Sequence, residues 1–158
     1  MVYVTAAFVL IYCLLNLWLC RCDIKTGLLP DRFTCPLIWA GLLFWVVQQP
    51  EQLSSAVLGA IFGYAGFALL YWVYRVIRRR EGLGYGDVKY LAALGAWHGW
   101  ESLPLLVAMA SGLSLAFILL QIIGERTLRA LKNPLPFGPF LAAAGFVTGW
   151  ANWISLPL

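Results

Sequence analysis

Apolar runs separated by polar breakers divide the chain into six candidate helices, roughly 2–20, 33–48, 53–77, 88–100, 103–123 and 135–154. Set against the ~20 residues needed to cross hydrocarbon, they predict an all-α polytopic membrane protein folded as a single bundle. The connectors are CRCDIKTGLLPDR, QQPEQ, RRREGLGYGD, a tight turn near HGWES, and GERTLRALKNP. The fourth run is short. Its thirteen residues rise about 20 Å as a helix, against a core about 30 Å thick. With Trp97 at the outer interface, Asp87 would lie about 15 Å below it, near the midplane. The glycine-rich loop before Asp87 would then dip into the membrane, where irregular backbone must be wrapped in protein or line a wet cavity. A tilted span, or a deeper Trp97, leaves Asp87 at the inner interface instead. In both cases it faces the cytoplasmic half.

Charge gives the bundle a direction. All eleven basic residues fall in or beside alternate connectors. Arg21, Lys25 and Arg32 flank the first; Arg75, Arg78, Arg79, Arg80 and Lys89 flank the third; Arg126, Arg129 and Lys132 occupy the fifth. The second and fourth carry only Glu51 and Glu101. Because cytoplasmic loops collect Lys and Arg, both termini are expected on the periplasmic side and the three basic connectors in the cytoplasm. Trp45, Trp97, Trp100, Trp150 and Trp153 fall at the predicted outer ends, as an interfacial belt should.

Composition agrees with the pattern. Of 158 residues, 62% are apolar and 11% charged, and the mean hydropathy is +0.82. The net charge of +4 is a topology signal in such a chain and does not point to nucleic acid. Cys13, Cys20, Cys22 and Cys35 form no C-x-x-C pair, which argues against a zinc knuckle. The segment from Val2 to Cys20 has no basic residue ahead of it and no small-residue cleavage site, so it reads as a retained span. Gly59, Gly63 and Gly66 offer a small-residue face for close helix packing. His98, alone at an outer end, reads as an interfacial histidine.

Of the seven acids, Glu51, Glu101 and Glu125 have surface readings. Asp23, Asp31, Glu81 and Asp87 remain on the inner side, where an acid at a lipid boundary needs a reason. A pair of them, one protonated and one ionised, could activate a water without metal, serine or histidine. Helix direction puts Asp23 after a helix C-terminus and Asp87 at a helix N-terminus, so Asp23 is expected to hold the proton. The residues alone leave open a proton-coupled transporter or a non-enzymatic assembly subunit.

Asp23-Ile-Lys-Thr-Gly-Leu-Leu-Pro-Asp31 and Gly84-Tyr-Gly86-Asp87-Val-Lys89 resemble the two signature motifs of the type IV prepilin leader peptidases, the G-x-G-D intramembrane aspartyl proteases. Leu135-Pro136-Phe137-Gly138-Pro139-Phe140 is similar to that family's loop before its last helix. The resemblance implies an inner-membrane endopeptidase that removes leaders from type IV prepilins or type II secretion pseudopilins on the cytoplasmic side. It makes Asp23 and Asp87 the catalytic pair and gives Gly84, Gly86 and Lys89 to substrate or backbone approach. Pro30, Asp31, Pro136, Gly138 and Pro139 become structural loop residues. No metal is implied. Full-length members carry an N-terminal extension associated with methylating the product from S-adenosylmethionine. This sequence begins at what resembles the first helix of the peptidase core, so that cofactor is expected only if methylation is retained. Partners are the substrates and the lipid bilayer. The residues do not fix an oligomeric state.

Overall fold

The computed structural model describes residues 2–79, 84–125 and 135–154. Glu81 and the connector 126–134 lie outside them, as does the side chain of Trp153. Six α-helices occupy the described residues: α1 Val2–Thr26, α2 Asp31–Gln48, α3 Leu53–Arg78, α4 Tyr85–His98, α5 Leu103–Glu125 and α6 Gly138–Ile154. One-turn 3-10 segments, Pro50–Gln52 and Trp100–Ser102, join α2 to α3 and α4 to α5. Among the described residues, three stretches are long and apolar enough to cross a bilayer: Tyr3–Thr26, Pro50–Arg78 and Trp100–Gly124. Helices α2, α4 and α6 are shorter, with 18, 14 and 17 residues.

The bundle is built around α4. Eleven of its fourteen residues are buried, and it packs against α3, α2 and α6. A helix that is apolar on every side belongs inside a protein. This explains the shortness of the fourth apolar run: a helix wrapped by other helices need not match the hydrocarbon thickness. The outer layer is thinner. Helix α1 leans on α2 and α6, and α5 on α6.

Glycines allow the tightest of these contacts. Gly59 of α3 and Gly95 of α4 meet backbone to backbone, so a Cβ on either would strike the other's carbonyl oxygen. A Cβ at Gly63 would lie 2.8 Å from the Leu91 carbonyl oxygen. Gly66 has open space around it and takes no part in this face.

Three residues expected at the outer interface prove to be core. Trp97 is 1% exposed. Its Nε1 donates to the Leu37 carbonyl at 2.8 Å, and its own carbonyl accepts from Trp45 Nε1 at 3.2 Å. His98 is also buried, with its Nε2 3.1 Å from the Tyr12 hydroxyl. Trp45 is buried too, whereas Trp100 and Trp150 remain exposed as belt residues should be. Trp97 therefore cannot serve as a depth marker for Asp87.

Candidate active site

Helix α1 runs past residue 20, and Asp23 sits in its last turn rather than beyond its end. The helix stops at Gly27, whose φ of +64° places it in the left-handed region. The Gly27 N–H donates to the Asp23 carbonyl at 2.8 Å, closing the final turn where a residue with a Cβ would be strained. The chain then turns through Leu28 and Leu29 to Pro30, which caps α2, and Asp31 opens that helix.

Asp87 comes from the other side, in the first turn of α4. Its backbone N–H donates to the Gly84 carbonyl at 3.0 Å. Gly86 lets the two segments meet, because a Cβ there would fall 2.8 Å from Leu29 Cβ. At Gly84 an added Cβ would lie 3.1 Å from Asp87 Oδ2. The 135–140 segment completes the arrangement. The Gly138 N–H, at the start of α6, donates to Asp23 Oδ2 at 2.9 Å. Pro139 follows within the first turn, where its missing N–H costs nothing.

Asp23 and Asp87 are 5% and 7% exposed and face one cavity of about 400 Å³. They are near enough for the charge of one to act on the other. Tyr71, Tyr85, Leu28, Leu29 and Lys89 complete the wall with the backbone of Gly27, Gly84 and Gly86. Among the described residues, Asp87 Oδ1 is buried without a hydrogen-bond partner. Lys89 pairs with Asp31, its Nζ 2.7 Å from both Asp31 carboxylate oxygens. That ion pair ties α4 to the start of α2. Lys89 lines the cavity while Pro30 and Asp31 stand outside its wall, and among the described residues Gly138 is the one of the 136–139 set hydrogen-bonded to a carboxylate.

Sequence reasoning passed over Tyr71 and Leu29, which are ordinary apolar-helix and loop residues by type. It also passed over Asn16 and Tyr90, both fully buried. Tyr90 O–H donates to Asn16 Oδ1, and Asn16 Nδ2 donates to the Tyr12 carbonyl at 2.7 Å. The available signal was the amide itself, a polar side chain inside an apolar span.

With this arrangement in view, the relatives take on meaning. The chain matches the type IV leader peptidase family over residues 8–120. It belongs to that family and is a peptidase. It is 56% identical to leader peptidase HopD of Escherichia coli over 151 residues, covering 96% of this chain and 97% of that one. It is 57% identical to leader peptidase HopD of Salmonella typhimurium, over 94% of this chain and 95% of that one. The prepilin leader peptidase/N-methyltransferase of Dickeya chrysanthemi is 48% identical over 78% of this chain, a match that spans 43% of that longer protein. No solved structure matches the chain.

Proposed function

We propose that Asp23 and Asp87 are the acid–base pair of an aspartic endopeptidase that removes the leader from type IV prepilins or type II secretion pseudopilins. The observation that carries this reading is the convergence of two buried carboxylates, from two different helices, on a single cavity. A water held between them is the nucleophile. Ionised Asp23 takes a proton from that water as it attacks the scissile carbonyl carbon. Protonated Asp87 gives its proton to the carbonyl oxygen, forming a neutral tetrahedral intermediate. When the C–N bond breaks, Asp23 returns its proton to the leaving amine, and the new acid restores the proton on Asp87.

This assignment reverses the expectation from helix direction. The Gly138 N–H gives Asp23 a donor suited to an anion, at the start of α6 where a helix favours negative charge. Asp87 has a buried oxygen with no such donor among the described residues, and an unpartnered buried charge is costly. The proton therefore belongs on Asp87.

The charge alternation along the sequence supports six crossings of the bacterial inner membrane, with α2, α4 and α6 completing the bundle and the cavity opening toward the cytoplasm. Co-expressing a prepilin with wild type, Asp23→Asn or Asp87→Asn and following leader removal on a gel tests the pair. Each variant should lose activity by at least roughly 100-fold. Complete processing by either one sinks the dyad. A bell-shaped pH–rate profile is expected: the acid limb falls as Asp23 is protonated, and the alkaline limb as Asp87 ionises.

A further inference from the structure

The two aspartates stand on helices whose main packing partners lie elsewhere: α1 rests on α2 and α6, and α4 on α3, α2 and α6. Large side chains fill the space between α1 and α4. Tyr12 packs edge-on against Trp97 with ring centroids 4.8 Å apart, and Asn16 meets Tyr90 beneath them. Asn16, Tyr12 and Tyr90 are each 0% exposed. Both ends of the Asn16 amide are used, Oδ1 by the Tyr90 hydroxyl and Nδ2 by the Tyr12 carbonyl. Packing constrains shape, and a buried hydrogen bond adds a fixed direction and distance to it.

That bond lies close to the chemistry. Asn16 is two helical turns before Asp23 on the same face of α1, and Tyr90 is one turn beyond Asp87 on α4. Both carboxylates act electrostatically on the Tyr90 hydroxyl.

We propose that Asn16 and Tyr90 are positioning residues: their hydrogen bond sets the spacing and rotation of α1 against α4, and so the separation of the Asp23 and Asp87 carboxylates. This rests on the peptidase reading above. Of the two buried polar contacts that join these helices among the described residues, Asn16–Tyr90 lies nearer the carboxylates in sequence and Tyr12–His98 farther from them, so the former is the register pin for the shared water.

The test uses full-length protein in detergent, a prepilin substrate, and rates normalised to folded protein by helical circular dichroism. Wild type is compared with Tyr90→Phe, Asn16→Leu and the double variant. Asp87→Asn serves as the blank, and Tyr3→Phe, at a 90% exposed position, as the neutral control. Each single variant should lower kcat about 10-fold or more while KM stays within about twofold, because misplacement of reacting groups falls on the chemical step. The double variant should be no slower than the slower single one, because both remove the same bond. Tyr90→Phe or Asn16→Leu, folded and with wild-type kcat, overturns the proposal. So do losses that multiply in the double variant, or a change confined to KM. The two singles interrogate the bond from opposite helices, so one that fails to accumulate leaves the other decisive. A wild type no faster than the Asp87→Asn blank is a different result, against the peptidase reading itself.

Discussion

At Gly138 the absence of a side chain is what lets a backbone N–H reach the Asp23 carboxylate. A Cβ built there would lie 2.7 Å from Asp23 Oδ2, well inside contact distance. Gly138→Ala should therefore displace the carboxylate and cut leader cleavage by about 10-fold or more, measured as kcat on a purified prepilin, while Pro139→Ala changes it little. Lys89 and Asp31 contrast with this. Their ion pair is short, but the side chains are 32% and 60% exposed, so it is worth no more than about 1 kcal/mol. Asp31→Asn should lower the thermal midpoint by only a few degrees and leave cleavage within several-fold of wild type. Asp23 and Asp87 were legible in the sequence because an acid beside a lipid-buried run demands a purpose, and their motifs name each other. Gly138 was legible only as a loop residue, because its partner stands 115 positions away and nothing local records that meeting. The proposed proton assignment departs from the one expected from helix direction because Asp23, still at the C-terminal end of α1, accepts from the Gly138 N–H, a donor that helix direction does not reveal.

The contact between α3 and α4 is one that glycine makes possible. Replacing Gly59 or Gly95 with alanine forces each new methyl onto facing backbone, and neither rigid helix can yield by moving a side chain. Such overpacking costs about 1–3 kcal/mol. It should appear as a lowered unfolding midpoint by circular dichroism in detergent, whereas Gly66→Ala should leave that midpoint unchanged. The helices themselves were legible from the apolar runs, although α1 continues through the polar start of the first connector to Thr26. Their mutual faces were not. Gly66 matches Gly59 and Gly63 in type, and only the position of α4 shows that it points away. Trp97 likewise looked like an interface marker until its indole N–H was found bonded to the Leu37 carbonyl.

For the molecule as a whole, the alternation of basic connectors makes a claim that thiol chemistry can check. Cys35 is exposed near the start of α2, just after the first basic connector. A membrane-impermeant maleimide should label it in inside-out vesicles and fail to do so in intact spheroplasts, with the signal lost in Cys35→Ser. Labelling from the periplasmic side would invert the orientation and move the cavity to the other face. Among the described residues, the three longest apolar helices are each long and apolar enough to cross a bilayer. The buried α4 cannot be treated that way. Fourteen residues long and opening on an acid, it is a poor independent guest for lipid. Packed along the glycines of α3, it would enter best as the second arm of a hairpin with that helix. In that order Asp87 would reach its place only after α3, and Asp23 would receive its Gly138 donor only when the last helix arrives. A chain whose synthesis stops short of α6 would hold both carboxylates and still lack a finished protease.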